Sequence, residues 1–141
     1  MTRIDFYFNV GNKALALAEL VQTAFNKRRQ VTICVADESS AATVSMNLWQ
    51  QQPTSFLPNV AANHVAAAHT HVVIHWAEMA LHHDELLINL RLEQPNFFSR
   101  FTHLIELVGD DEQDKIAARA RFKFYRDRGY EIKSINYAQN L

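Results

Sequence analysis

The chain has 141 residues, of which 48% are hydrophobic and 21% are charged, and its formal net charge is -1. These values suit one compact soluble domain, residues 1–141, that buries roughly two-thirds of its unfolded surface. They exclude a protein coated with positive charge for nucleic acid, and no apolar run approaches the roughly 18 residues of a membrane span. The single cysteine, Cys34, excludes an intrachain disulfide and predicts a cytoplasmic protein with this thiol in its core.

The first part of the chain predicts a β-α-β unit. IDFYFNV alternates apolar and polar residues as a strand does, and apolar residues then recur at helical spacing between Lys13 and Lys27. VTICVAD follows as a run rich in β-branched strand formers. We expect Ser39 or Ser40 to cap a second helix that runs through Trp49, because a serine oxygen accepts hydrogen bonds from the free N–H groups of a first turn.

The second part predicts further strands and a long helix. Three strands are expected, at HVVIHW (71–76), ELLINLRL (85–92) and THLIELV (102–108). PNFFSRF opens a helical turn at Pro95, and DDEQD suits the start of a helix that runs to Arg128, before Gly129 stops it and YEIKSIN forms a last strand. Segments 50–59 and 63–70 are expected to be exposed connections. Alternating strands and helices favour a layered α/β sheet.

Glycine content argues against a nucleotide cofactor. Gly11 is the only glycine between residues 1 and 108, so neither GxGxxG nor GxxxxGK[ST] is present to cradle phosphates with backbone N–H groups. No cofactor is therefore predicted.

Histidines offer a second candidate chemistry, since imidazoles and carboxylates bind zinc. The candidates are His64, His69, His71, His75, His82, His83 and Asp84. Their spacing is not diagnostic, because His71 and His75 would lie on one face of a strand but about 13 Å apart. Solvated histidines are the preferred interpretation, and no metal is predicted.

The segment RARFKFYRDRGY (119–130) places five basic side chains and four aromatic rings in twelve positions, at the end of the predicted C-terminal helix and just after it. At helical spacing one stripe, called here the basic stripe, consists of Lys115, Arg119, Phe122 and Arg126. The residues expected to face the core are Ala117, Ala120 and Phe124. The stripe is interpreted as a solvated face, a site for single-stranded nucleic acid, or a site for an acidic peptide with a carboxylate and an apolar side chain. Near-neutral net charge favours the peptide over nucleic acid.

A loop segment, LWQQQPTSFLPN (48–59), is unusually apolar for a connection. Large apolar side chains in a loop indicate either a surface for a partner or a cap over the core. The sequence alone leaves both interpretations open.

Together these segments resemble the chi subunit family of the bacterial DNA polymerase III holoenzyme. The resemblance runs from FYF in the first strand through LWQQQPTSFLPN, HVVIHW, LLINLR and FTHLIELV to KIAARARFKFYRDRGY, which is nearly the whole chain. It is most specific in the LW…P..SF.P loop and in the K…R..(aromatic)…R helix.

The resemblance implies a single Rossmann-like, three-layer α/β/α domain with a mostly parallel, mixed sheet. It also implies a non-catalytic adaptor of DNA replication that links the clamp loader to single-stranded DNA-binding protein at the cytoplasmic, nucleoid-associated replisome. Contact with single-stranded DNA would be indirect, and no membrane is involved. The alternatives are a direct single-stranded nucleic-acid binder and a histidine-based, metal-dependent enzyme.

Two surfaces follow from the resemblance. The psi subunit would bind at Trp49, Pro53, Phe56 and Leu57. The acidic, phenylalanine-terminated tail of single-stranded DNA-binding protein would bind at Lys115, Arg119, Arg126, Val108 and Phe122. Family members can have tyrosine where Phe122 stands, so a hydroxyl hydrogen bond is absent here.

Overall fold

The computed structural model describes residues 2–50, 59–62, 70–77 and 79–140, excluding the side chains at 49, 50, 139 and 140. Within these residues one sheet is covered by three α-helices. The strands are β1 (Arg3–Phe8), β2 (Val31–Cys34), β3 (Asn59–Ala61), β4 (Val72–His75), β5 (Leu86–Asn89), β6 (His103–Leu107) and β7 (Ile132–Asn136). The helices are α1 (Lys13–Asn26), α2 (Glu38–Gln50) and α3 (Glu112–Asp127).

The sheet has the strand order β3-β4-β2-β5-β6-β1-β7. Every pairing between the described strands is parallel, so the antiparallel component expected of a mixed sheet is absent from this part of the chain. Parallel neighbours require connections long enough to return the chain to the same edge of the sheet. The predicted α/β class is confirmed.

Helices cover both faces of the sheet. α1 and α2 pack on one face, where alternate residues of the central strands such as Ile33 and Ile88 are fully buried. α3 and a 3-10 turn at Phe98–Arg100 pack on the other face, over Ile4 and Leu104. The carboxyl ends of all the strands therefore lie along one edge, between the two helical layers. No helix in the described segments is long and apolar enough to cross a membrane.

Acidic side chains begin two of the helices. The prediction that Ser39 or Ser40 caps α2 is wrong, because the Asp37 side chain accepts the hydrogen bond from the Ser40 N–H at 2.8 Å. This bond lowers the pKa of Asp37. Asp111 caps α3 in the same way, and Gly129 follows this helix with φ +81, a conformation that favours glycine.

The expected connections need one revision. β3, a three-residue edge strand paired with β4, lies between the segments predicted to be loops. Such a short strand carries too few residues for a period-2 pattern to be recognised. The helical turn expected from Pro95 is the 3-10 turn, three residues further on.

A buried histidine joins the amino ends of β1 and β6. The Nε2–H of His103 donates to Asp5 Oδ2 at 2.7 Å, while guanidinium nitrogens of Arg3 and Arg29 face its Nδ1 at 3.4 and 3.2 Å. Because guanidinium groups only donate, Nδ1 accepts and the imidazole is neutral. Burial lowers the pKa of His103 from its usual 6.5, although Asp5 opposes this.

Stability is therefore expected to fall as the pH decreases. The unfolded chain protonates its histidines near the usual value of 6.5, whereas the folded protein resists protonation of His103. The stabilisation that the neutral His103 imidazole contributes at higher pH is therefore lost progressively below about pH 6.5. Urea-unfolding midpoints measured from about pH 8 to about pH 5 should decline, and His103→Gln should flatten the decline. A pH-independent midpoint in the parent protein would contradict this account.

Candidate functional site

The cations of the basic stripe lie on an open surface of α3. Arg119 Nη1 is 3.9 Å from Glu112 Oε1, and both side chains are 72% exposed. Arg126 Nη2 is 3.6 Å from Asp127 Oδ1, again between exposed side chains. Lys115 is half-exposed. Ion pairs at such exposure contribute little, so these groups are available to an anionic partner.

The core-facing side of α3 differs from the prediction. Its buried residues are Asp114, Ala118, Arg121 and Tyr125, whereas Ala120 is exposed and Ala117 and Phe124 are only half-buried. Hydrophobic periodicity placed the buried face wrongly because an arginine and an aspartate occupy it. At 3.6 residues per turn the basic stripe lies about 100° from this buried face, on the flank of the helix next to the sheet.

A ring lies beside the cations on that flank. The edge of Phe122 meets Phe6 of β1, with the ring centroids 5.4 Å apart, and Phe122 is half-buried. Val108 belongs to the same apolar cluster and is 8% exposed. The structure thus brings the sequence-predicted residues to one margin between α3 and the sheet, with apolar and cationic groups side by side.

The turn from β6 into α3 is fastened by Asp114. Its Oδ2 accepts the backbone N–H of Gly109 and the ammonium of Lys13, each at 2.7 Å. Burial alone would raise the pKa of Asp114, but these two bonds lower it. A Cβ on Gly109 would lie 3.3 Å from the carboxylate, so the turn is tight. Val108 is thereby held next to the start of the helix.

A buried polar network, missed by the sequence analysis, holds the middle of α3 on the sheet. Glu106 of β6 is fully buried and accepts hydrogen bonds from Arg121 Nε at 3.1 Å and from the Tyr125 hydroxyl at 2.7 Å. Asn89 of β5 donates to the same carboxylate, and Arg121 also donates to the Leu92 carbonyl at 2.7 Å. A glutamate inside the apolar run LIELV was the available signal, because a buried charge requires a partner.

The pKa values of Glu106 and Tyr125 are both shifted within this network. Burial raises the pKa of Glu106, while Arg121, Tyr125 and Asn89 act in the opposite direction. Burial and the neighbouring carboxylate raise the pKa of Tyr125, so its hydroxyl remains a donor. Every oxygen of Glu106 has a partner, and the network therefore fixes the rotation of α3 and the direction in which the basic stripe points.

The same network belongs to a row of polar side chains across the sheet. The strand registers align His75 with Cys34, Cys34 with Asn89, and Asn89 with Glu106, near the carboxyl ends of four strands. Cys34 lies in the core, as predicted. Burial raises the pKa of its thiol to about 11, although the adjacent Arg91 opposes this.

His82 and His83 contact main-chain oxygens. His82 Nε2 lies 2.9 Å from the Ala62 carbonyl, and His83 Nε2 lies 2.7 Å from the Thr70 carbonyl. Residues 79–140 and the described parts before them contain no group of three or more side chains placed to hold a metal ion. His64 and His69 lie outside the described residues.

The expected psi surface also lies largely outside the described residues. This applies to Pro53, Phe56, Leu57 and the side chain of Trp49. The backbone of Trp49 lies in the last turn of α2.

The family assignment follows from comparison with known sequences. The family described as "DNA polymerase III chi subunit, HolC" matches residues 1–133, which contain both the basic stripe and the buried network. The chain belongs to the DNA polymerase III chi subunit family. Chi subunits of Pseudomonas aeruginosa and Haemophilus influenzae are 33% and 30% identical to it, each over 94% of this chain and 95% of the relative. The Escherichia coli chi subunit is 25% identical over 86% of this chain and 83% of its own length.

Solved structures share the fold of this chi-family chain. The C-terminal domain of the DEAD-box protein Dbp5 has a TM-score of 0.64 and 11% identity, over 98% of this chain and 91% of that one. The S. cerevisiae Dbp5 C-terminal domain bound to Gle1 and IP6 has a TM-score of 0.58 and 12% identity, over 96% of this chain and 90% of that one. At these identities the likeness describes the α/β architecture alone.

Proposed function

We propose that this chi-family chain is a non-catalytic adaptor of DNA replication. It links the clamp loader, through the psi subunit, to the acidic C-terminal tail of single-stranded DNA-binding protein. Its contact with single-stranded DNA is indirect, and it acts at the replisome in the cytoplasm. Membership of the chi family supports a role in the DNA polymerase III assembly, and the basic stripe supports the tail as its ligand.

The observation that carries the proposal is the position of Arg119. Its side chain is 72% exposed, its guanidinium is 3.9 Å from an equally exposed carboxylate, and it lies on the same flank as the half-buried ring of Phe122. A C-terminal phenylalanine carries both a carboxylate and an aromatic ring on one residue. A guanidinium binds a carboxylate bidentately, so this flank matches both groups of the tail.

Each residue of the surface then has a role. Arg119 binds the terminal carboxylate, and Phe122 with the small exposed part of Val108 contacts the terminal ring. Lys115 and Arg126 attract the aspartates upstream, which require only diffuse positive charge. Asp114 and the buried network of Glu106 keep α3 in the orientation that presents these groups.

The psi subunit is assigned to the segment with Trp49, Pro53, Phe56 and Leu57. Family resemblance supports this assignment, together with the physical argument that exposed aromatic side chains commonly dominate binding energy at protein interfaces.

The proposal is tested with a synthetic acidic peptide ending in phenylalanine, compared with the same peptide amidated at its C-terminus. Amidation removes one negative charge and the bidentate acceptor, so affinity should fall roughly tenfold or more. Isothermal titration calorimetry at two salt concentrations measures both affinity and salt dependence. A third peptide, in which alanine replaces the terminal phenylalanine, tests the ring contact with the carboxylate kept.

Two outcomes would contradict the proposal. Undiminished binding of the amidated peptide would show that Arg119 does not bind a terminal carboxylate. Tight binding of a naked oligonucleotide that Arg119→Ala abolishes, with the steep salt dependence that counterion release produces, would favour direct nucleic-acid binding on the basic stripe.

A further inference from the structure

A second site lies on the carboxyl edge of the sheet, away from the basic stripe. A cleft of about 620 Å³ opens there between the ends of β4 and β5 and the segment that leads into the 3-10 turn. None of the residues of the basic stripe lines it. Its volume is that of small-molecule sites, and the carboxyl ends of parallel strands are where open α/β sheets bind ligands.

Two guanidinium groups line this cleft with weak or no counter-ions. Arg91 Nη2 is 4.0 Å from Glu93 Oε2, beyond hydrogen-bond length, and the Glu93 side chain is 81% exposed. Arg100 is exposed and forms no salt bridge with another described residue. Guanidinium groups provide the paired donors that bind a phosphate bidentately, and both of these line the same cleft.

An aromatic ring and two amides lie beside these cations. Phe97 is half-buried, lines the cleft and meets the edge of His75, with the ring centroids 4.9 Å apart. A base stacks favourably on such a ring, since every base has a π-face. Gln94 and Asn96 line the same cleft and provide donors and acceptors for the edge of a base.

His75 lines the cleft and contributes a buried acceptor. It is only 2% exposed, and its Nε2–H donates to the Met79 carbonyl at 3.0 Å. Its Nδ1 is therefore an acceptor, and this buried atom has no hydrogen-bond partner among the described residues. An unsatisfied buried acceptor is costly, so a ligand that places an N–H or O–H there gains a bond that the free protein lacks.

We propose that this cleft binds a nucleoside phosphate. The phosphate contacts Arg91 and Arg100, the base stacks on Phe97, and an amino or hydroxyl group of the nucleoside donates to His75 Nδ1. The nucleoside phosphate can be a free nucleotide or one nucleotide of a single-stranded nucleic acid. Neither source requires the glycine-rich phosphate loop that this chain lacks.

The experiment is a ¹⁵N–¹H NMR titration of the full chain with a deoxynucleoside monophosphate, with the matching nucleoside, with inorganic phosphate and with a short single-stranded oligonucleotide. The monophosphate should saturate and shift the amide signals of the cleft, whereas the nucleoside and inorganic phosphate should each bind at least about tenfold more weakly. Comparing monophosphate with oligonucleotide identifies the source, and saturation of the cleft by either supports the proposal.

Variants test the individual contacts. Arg100→Gln should weaken monophosphate binding by roughly tenfold, and Phe97→Leu should weaken it through the lost stacking. Because Arg91 lies against the buried Cys34, the exposed Arg100 provides the decisive variant if Arg91→Gln fails to fold. Arg119→Gln should leave this binding unchanged, and Arg100→Gln should leave tail-peptide binding unchanged, so each proposal can fail without the other.

Three results would overturn the proposal. One is the absence of saturation by monophosphate and oligonucleotide at about 1 mM. Another is monophosphate binding that Arg100→Gln and Phe97→Leu leave intact. The third is inorganic phosphate binding as tightly as the monophosphate, which would make the cleft a simple anion site.

Discussion

Replacing Arg121 with alanine is expected to reduce the free energy of unfolding by about 3–5 kcal/mol, because it leaves the buried carboxylate of Glu106 without its charged partner. Glu106 is fully buried and Arg121 is 2% exposed, so neither water nor another described cation compensates. The lost bond to the Leu92 carbonyl adds to the effect. Urea unfolding followed by circular dichroism measures the change.

The matched control is Lys123→Ala, which removes a cation from the exposed side of the same helix and should change stability by no more than about half a kcal/mol. The double variant Glu106→Leu with Arg121→Met replaces the pair by apolar groups and should recover part of the loss. A loss below about 1 kcal/mol for Arg121→Ala would show that the network does not hold α3 on the sheet.

Replacing Arg119 with alanine is expected to abolish most of the binding of the acidic tail while leaving the fold intact. The lost charge-assisted contact is worth about 1.5–3 kcal/mol, or roughly ten- to a hundredfold in affinity. Stability should change by about half a kcal/mol at most, because the ion pair between Arg119 and Glu112 joins two side chains that are 72% exposed. Calorimetric titration with the tail peptide, alongside urea unfolding, measures both quantities.

Arg128→Ala provides the charge control. Arg128 lies half a turn away from Arg119 around the helix and stacks on Phe124, with its guanidinium carbon 3.5 Å from the ring centroid. Arg128→Ala removes the same charge at the C-terminal end of α3 but from the other side of the helix, so it should weaken tail binding only slightly. Equal losses for Arg119→Ala and Arg128→Ala would mean that net charge, not a carboxylate clamp, drives binding.

The expected psi surface is tested by combining Trp49→Ala with Phe56→Ala. Psi association should fail while tail binding persists, because the two surfaces use different segments of the chain. Arg119→Ala and the Trp49→Ala/Phe56→Ala double variant are each measured against the psi subunit and against the tail peptide, with circular dichroism to verify folding. If either variant loses both interactions while folded, the two-surface adaptor is wrong; if Trp49→Ala unfolds the protein, the segment is a cap over the core.

Local sequence patterns determined most of the elements. Alternation in IDFYFNV, helical spacing after Lys13 and the β-branched run at VTICVAD depend on neighbours within one strand or helix, and each element formed where it was expected. The same holds for α3, whose start at DDEQD and end before Gly129 were predicted from charge and backbone preference. The cations of the basic stripe were recognised because helical periodicity alone places them on one face.

Only the tertiary structure decided which side of α3 is buried. Arg121 and Tyr125 turn inward because Glu106, distant in sequence, occupies the facing position on β6, and periodicity counts an arginine as a solvent-exposed residue. The strand order was also decided by the tertiary structure, because it depends on pairing between segments that are distant in sequence and that local patterns cannot relate. It also aligned His75, Cys34, Asn89 and Glu106 in one row and opened the cleft at the carboxyl edge. Buried polar groups are stable only with partners, and those partners are chosen by long-range packing.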